Sequence, residues 1–479
     1  MRSHIIIRYI GLVLLLSSGL MFVSFLISVI NADSGRIPLL LSTILTALIG
    51  IFPFIFVPAS NQISHKEGYV IVVSSWLLIC FFGMLPYLLW GGEFSLANAW
   101  FESVSGFTTT GSTILNDVEA LPKGLLFWRS ATHWLGGIGV ILFMLIIVPA
   151  LGKARMSLSR LEMSPLAKTN FHYKTNKTLR IVLMVYLGLT LAQTILLYVF
   201  GMNFFDAITH SFGTVATGGF SPKNASIGFY NSISIEIVVI VFMFLAGMHF
   251  GVLYSMFTFK NNKWYKSSIL QFYGLSILVG ILVVTFNTWG STYDTFPQAL
   301  RQSAFQVVSI ATTTGYATYN TTLWPSFSIM VLIYFTLQCA CAGSTAGGIK
   351  VDRIVIFYQS LKRQVLKLQH PQAVIPVRVD GQVVEDDVVD SVLVFIVLYI
   401  VILFLNGLAL TAMGVDLTTA FSASAATIGT VGPGFGEVGS VSNFALIPDL
   451  GKVLLTLNML LGRLEIFGLV LIVFMKWWR

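Results

Sequence analysis

Four short stretches carry the residue types that can hold a cation stripped of its water. They are SGFTTTGSTIL around Thr109-Thr110-Gly111, GTVATGGFSPKN around Ala216-Thr217-Gly218, SIATTTGYATYN around Thr313-Thr314-Gly315, and ATIGTVGPGFG around Thr430-Val431-Gly432. A dehydrated cation needs several oxygen dipoles at fixed distance, and backbone carbonyls supply them where the chain runs along a pore axis. Such a path demands unusual backbone angles, which glycine adopts without steric cost. Threonine hydroxyls add a further ring of oxygens or brace the backbone. The key glycines Gly111, Gly218, Gly315 and Gly432 recur roughly every hundred residues, the mark of an internal repeat. None of the four segments TTTGST, ATGGF, TTTGY and TVGPG contains a basic residue, which an anion pore would place there. The loops differ around the glycine, and only the fourth has a second glycine, Gly434, in the position a channel filter would use. The filter is therefore expected to be less regular than that of a symmetric tetramer.

Something must aim these loops. Each follows a short apolar segment that cannot cross a bilayer, in which a spanning helix needs roughly 20 residues. These segments run from Ser95 to Phe107, from Asn203, near Pro297, and from Asp416. They read as re-entrant pore helices, whose C-terminal ends carry partial negative charge toward the loop. Each has a small residue, Ala99, Ala207, Ala304 or Ala420, 11 or 12 positions before its glycine. Long apolar segments flank them: Tyr69–Trp90 and Leu125–Leu151, Leu179–Phe200 and Ile233–Phe259, Ser267–Trp289 and the stretch from Phe327, Val388–Met413 and Pro448–Trp478. Two further spans, Ile5–Ile30 and Ile37–Val57, precede them. The expected fold is all-α and polytopic: two N-terminal spans, then four span–pore helix–filter loop–span units in pseudo-fourfold array. The units divide the chain at residues 1–60, 61–170, 171–265, 266–370 and 371–479.

Composition agrees. The chain has 479 residues, 56% hydrophobic and 10% charged, which excludes an ordinary soluble globule. Its net charge of +8 would suggest nucleic acid in a soluble protein. Here the basic residues sort by loop, so orientation explains them and no nucleic-acid partner is expected. Lys153, Arg155, Arg160 and Lys168, then Lys260, Lys263 and Lys266, then Lys362, Arg363 and Lys367 all fall on the side that also holds Arg2 and Arg8. The positive-inside rule makes that side cytoplasmic, with both termini inside and the filter loops outside. The outer segments carry Asp33, Glu93, Asp117, Glu119, Asp294, Glu437 and Asp449, which either concentrate cations at the mouth or simply form a solvated surface. Cys80, Cys339 and Cys341 lie in apolar segments with no metal-ligand spacing. His133, His210 and His249 read as packing residues, and no catalytic constellation is present. The Gly136-Gly137-x-Gly139 run reads as close helix packing.

Two features lie below the filter. Gly343-Ser344-Thr345-Ala346-Gly347-Gly348 follows an apolar stretch of 16 residues from Phe327, about 24 Å of helix. That is short of the roughly 30 Å hydrocarbon core. The break falls within the inner leaflet, where open backbone must face protein or water. Arg463 stands in the middle of an apolar span, and an ionisable residue there is a functional candidate. Pairing with Glu465 is disfavoured, since neighbours two apart on a helix do not face each other. In the cytosolic insert AVIPVRVDGQVV, Asp380-Gly381 signals a type I′ hairpin, either a docking point or a connector.

Four span–pore–span units with one filter glycine each resemble the Trk/Ktr/HKT superfamily of potassium transporters. The two extra N-terminal spans, CAGSTAGGIK and LNMLLGRLEIFG make the chain most similar to the bacterial TrkH branch. The resemblance covers essentially the whole chain. It implies a potassium-selective pore in the bacterial inner membrane, a homodimer embedded in lipid, and a cytosolic ring of nucleotide-binding TrkA-type subunits as controller. It also implies that the loop at 343–348 gates the pore below the filter. The rival reading is a cation-coupled carrier with broken helices and a midplane site.

Overall fold

The computed structural model describes residues 2–58, 65–150, 175–257 and 264–466. The basic segment from Lys153 to Lys174, Lys260 and Lys263, and the final stretch with Lys476 and Arg479 lie outside them.

Two long helices open the chain, α1 (Ser3–Ile30) and α2 (Arg36–Phe56). They pack on each other at close range: a methyl on Gly11 would stand 2.6 Å from the Gly50 carbonyl oxygen. The first unit comprises α3 (His65–Gly83), α4 (Leu85–Trp90), the short α5 (Leu96–Phe107) and α6 (Lys123–Ala150). The second comprises α7 (Thr175–Val199), the short α8 (Phe204–Val215), α9 (Ile233–Ala246) and α10 (Phe250–Phe257). The third comprises α11 (Ser268–Thr288), the short α12 (Phe296–Ala311), α13 (Ser326–Gln338) and α14 (Val351–Gln369). The fourth comprises α15 (Asp386–Ala412), the short α16 (Leu417–Ile428) and α17 (Asp449–Arg463). The expected all-α polytopic fold is present, with six helices long and apolar enough to cross a membrane among the described residues, or seven if α9 and α10 form one span.

The short helices begin where their caps dictate. Ser95, Asn203 and Asp416 each accept a backbone N–H from the first turn with the side chain, which satisfies donors a helix start leaves orphaned. The third carries Pro297 in its first turn, where a missing N–H costs nothing.

Each short helix packs against the two spans of its own unit and against the second span of the preceding one. α5 lies on α3, α6 and α17; α8 on α7, α9 and α6; α12 on α11, α13 and α9; α16 on α15, α17 and α13. That order is cyclic and closes from the fourth unit back to the first.

Two expectations need correction. The segment Ile233–Phe259 is not one straight helix: α9 and α10 meet at 110° across Gly247-Met248-His249. The break lies close against the neighbouring unit, where a methyl on Gly247 would stand 2.4 Å from the Tyr273 hydroxyl. The span from Pro448 is likewise interrupted, because helix α17 ends at Arg463 and Glu465 and Ile466 take positive φ.

The hairpin at Asp380-Gly381 is present, with β1 (Arg378–Val379) paired to β2 (Gln382–Val383) and both turn residues at positive φ. It is more than a connector. Val377 and Val379 are buried, and the Asp380 carboxylate accepts bonds from the Ser267 hydroxyl and from the Ser268 N–H and hydroxyl at the start of α11.

Candidate functional site: a four-loop ring and the loop beneath it

The backbone after each short helix follows one path four times. The N–H groups of Thr110, Gly218, Thr314 and Val431 donate back to Ser105, Gly213, Ser309 and Ala426 at 2.8–2.9 Å. The residues just before them, Thr109, Thr217, Thr313 and Thr430, take φ of 52°, 55°, 58° and 52°, a left-handed conformation costly for any residue with a Cβ. One residue after the ring donors come glycines at φ of 84°, 80°, 77° and 100°: Gly111, Gly219, Gly315 and Gly432.

This settles the register of the second loop, and it differs from the sequence expectation. Gly219, not Gly218, matches the other three glycines, each four residues after its helix ends. Gly218 instead corresponds to Thr110, Thr314 and Val431, so Ala216 falls before the ring. The sequence did carry the signal. A Gly-x4-Asn spacing recurs in Gly111/Asn116, Gly219/Asn224 and Gly315/Asn320, and it fails for Gly218. The third short helix shows a similar slip: buried Ser303, not the half-buried Ala304, stands where Ala99, Ala207 and Ala420 stand.

The four loops touch in order. A methyl on Gly111 would stand 2.0 Å from the Gly218 oxygen, on Gly219 1.9 Å from the Thr314 oxygen, on Gly315 2.2 Å from the Val431 oxygen, and on Gly432 2.6 Å from the Thr110 oxygen. The carbonyls of Thr110, Gly218, Thr314 and Val431 therefore ring one axis. Glycine is required here both by the positive φ and by the approach of the next loop. Below that ring the buried hydroxyls of Thr109, Thr313 and Thr430 have no hydrogen-bond partner, whereas Thr217 donates to the Ala216 oxygen and to the Thr345 hydroxyl. In the first and third loops a second hydroxyl pair, Thr108 with Thr110 and Thr312 with Thr314, braces the backbone at 2.8 and 2.9 Å.

Thr345 belongs to the glycine-rich stretch, which lies directly beneath. Ser344, Thr345 and Ala346 are buried, and Gly343 and Gly348 adopt positive φ. A methyl on Gly347 would stand 2.2 Å from the Thr430 hydroxyl. The Thr345 hydroxyl donates to the Val215 oxygen at 3.1 Å. The stretch is also tied to the break in the second unit, with Phe250 N–H on the Gly343 oxygen and Cys341 N–H on the Gly247 oxygen, both at 3.1 Å.

Arg463 reaches the same place. It is buried, donates to the Thr345 oxygen at 2.5 Å and to the Gly136 oxygen at 3.0 Å. Two carbonyls from two units thus hold its charge. The Glu465 carboxylate takes Lys350 and Arg353, just past the glycine-rich stretch. Gly136 and Gly462 earn their places by approach: methyls there would stand 1.9 Å from the Phe107 oxygen and 2.1 Å from the Ile428 oxygen.

Outer groups that sequence reading left aside complete the site. Glu102 and Arg129 form a buried ion pair at 2.8 Å. Asp117 accepts the Asn224 amide, which holds its carboxyl below the ordinary value, and joins the first loop to the second. The acidic outer residues are thus partly committed to structure: Glu93 holds Asn116 and Glu119 holds Lys223. His133 and His210 pack as expected, their Nδ1 atoms on the Gly106 and Asp206 oxygens. Among the described residues no cluster of His, Cys, Asp and Glu could hold a metal by side chains.

Residues 42–477 match the family model described as "TrkH: Cation transport protein". The chain is 33% identical to the Trk system potassium uptake protein TrkH of Salmonella typhimurium over 487 residues, covering all of both chains. It is 35% identical to the Trk system potassium uptake protein TrkI of Halomonas elongata over 416 residues, 86% of this chain and 84% of that one. The crystal structure of the potassium transporter TrkH from Vibrio parahaemolyticus superposes with a TM-score of 0.90 at 32% identity, covering both chains in full. These relatives are transport proteins, not enzymes, and the chain belongs to the TrkH family of cation transport proteins.

Proposed function

We propose that this chain admits potassium to a bacterial cell through a selective pore formed by its four loops. The observation that carries the reading is the ring of Thr110, Gly218, Thr314 and Val431 carbonyls, each pressed on the preceding loop's glycine. Carbonyl dipoles in a ring replace a cation's hydration shell, and the relatives are named for potassium. Thr109, Thr217, Thr313 and Thr430 supply the next oxygens inward. The stretch from Gly343 to Gly348 closes the pore beneath that ring, and Arg463 latches it by the Thr345 carbonyl. The filter faces outward and both termini face the cytoplasm of a cell bounded by its inner membrane. A homodimer and a cytosolic TrkA-type nucleotide-binding ring complete the assembly, and the cytosolic helix α14, continuous with the gate, is the segment through which that ring acts.

The test is ion flux into liposomes holding the purified chain. Potassium entry that exceeds sodium entry, with discrete current steps in single-channel recording, supports the pore. Equal entry of both ions overturns the selectivity, and active uptake without current steps favours a carrier.

A further inference from the structure

Nine residues before each ring glycine stands a residue of the short helix that faces the outer continuation of its loop: Glu102, His210, Gln306 and Ala423, against Gly111, Gly219, Gly315 and Gly432. Three of them brace that loop. His210 meets the Ser221 hydroxyl at 3.0 Å. Gln306, with its amide oxygen facing the loop, accepts the N–H groups of Thr318 at 2.9 Å and Tyr319 at 3.2 Å. Glu102 accepts the Thr113 hydroxyl at 3.0 Å and the Ile114 N–H at 3.1 Å. In the fourth loop Ala423 braces nothing, and the adjacent Ser422 bonds Phe435 instead.

Glu102 alone of these is paired with a buried charge, and its partner reaches across to another loop. Arg129 comes from α6, donates to the Ser221 oxygen at 3.3 Å, and lays its guanidinium over the Phe220 ring at 4.0 Å. Phe220 directly follows Gly219. Its other neighbour is His133, stacked at 4.1 Å, and the His133 ring fills the space a methyl on Gly218 would take, 2.5 Å away. One ion pair thus touches the first loop through its carboxylate and the second through its guanidinium.

Among the described residues, neutral groups tie the loops to one another at the other seams of the ring. Tyr316 donates to the His210 and Phe220 oxygens between the second and third loops. Ser440 joins Thr321 and the Tyr319 oxygen between the third and fourth. Ser112 donates to the Gly432 oxygen between the fourth and first.

We propose that Glu102 and Arg129 are a positioning pair that fixes the first and second loops relative to each other and thereby sets how well the ring separates potassium from sodium. Whether selection comes from cavity size or from the number and field of the dipoles, it depends on where the carbonyls stand. Charge-assisted bonds are shorter and stronger than neutral ones, and a planar guanidinium adds direction. The pair has a second effect. Arg129 lines the outer vestibule beside Ser112, Thr113 and Ser221. With Glu102 ionised its charge is cancelled; without it, a positive charge flanks the entry path.

This inference rests on the potassium-pore reading, and the wild-type chain in the same liposomes tests that reading alone, since failure there is equal entry of potassium and sodium. For the pair, the measurement is rubidium uptake with sodium as competitor, together with the unfolding temperature of each purified variant. Arg129→Lys keeps the charge and one bond to Glu102 but loses the plane over Phe220. It should fold, transport, and lose about tenfold in discrimination, because lysine cannot replace a stacked, forked arginine. Phe220→Leu should behave alike without touching any charge. Glu102→Gln should raise the potassium concentration for half-maximal uptake, and added impermeant salt should partly restore it. If Arg129→Lys and Phe220→Leu lower the unfolding temperature yet discriminate as wild type does, the pair is a folding anchor and the inference is overturned. If both ions slow in parallel with discrimination intact, it is overturned as well.

Discussion

At the scale of single residues, composition and spacing located the four loops but not the register of the second. Gly218-Gly219 offers two glycines; the Gly-x4-Asn spacing favours the second of them, and backbone geometry decides. Gly219 carries the positive φ and meets the Thr314 oxygen, whereas Gly218 has ordinary φ and meets the His133 side chain. Gly219→Ser should therefore abolish discrimination against sodium, as should Gly111→Ser, Gly315→Ser and Gly432→Ser. Gly218→Ser should have a smaller effect that His133→Ala relieves; competitive flux measurements on these variants check the assignment. Arg463 was legible because a charge deep in an apolar run is rare. Its charge, hydrogen-bonded to carbonyls of two units, would oppose a cation passing through the proposed pore. At about 5 Å and an effective dielectric near 20, that repulsion is on the order of 3 kcal/mol, or roughly a hundredfold in rate. Arg463→Gln keeps one bond to Thr345 and removes the charge, so potassium flux in liposomes should rise; Arg463→Lys should stay closer to wild type. Unaltered flux in a folded Gln variant would reduce Arg463 to a packing residue. Glu102 and Arg129 left no such mark in the sequence. They lie 27 residues apart on different helices, and nothing in either segment announces that they meet.

Elements were easier to read than their interruptions. The short helices follow from caps and length, and the spans from hydropathy. The break between α9 and α10 was not legible, because its contacts lie outside the segment: Gly247 lies against the Tyr273 hydroxyl, and its carbonyl accepts the N–H of Cys341 just before the glycine-rich stretch. That stretch is thus held at four points, by α10, by Thr217, by Val215 and by Arg463. Thr345→Val removes two of those bonds with little change in shape, and passive potassium flux should increase while discrimination holds. Deletion within 343–348 should increase it further. Close approach makes a separate stability prediction. Gly136→Ala and Gly462→Ala would each drive a methyl into a pore-helix carbonyl, and overpacking of this kind costs about 1–3 kcal/mol. Their unfolding temperatures should fall. Gly188→Ala, in α7 with nothing within 4 Å of the added methyl, should leave the temperature unchanged or slightly higher.

The whole molecule shows why hydropathy reached the fold so directly. Four units with the same order of span, short helix, loop and span can bury their polar loops only by facing one axis, since bare backbone is excluded from lipid. Cyclic packing is the arrangement that does this with the loops of a single chain. Sidedness is checkable on the same frame. The native cysteines are buried, so Ser442→Cys in the outer vestibule should react with a membrane-impermeant maleimide in intact cells. Gln369→Cys at the end of α14 should react only once the inner face is exposed, and the reverse pattern would invert the orientation. The order of the loops along the chain has one more consequence, for synthesis. The ring closes through Ser112 on Gly432 and Phe444 on the Thr113 oxygen, so its first wall waits for its last. If the ring is the conduit proposed above, a chain with only its first three loops inserted has no closed ring, and no leak opens before the fourth arrives.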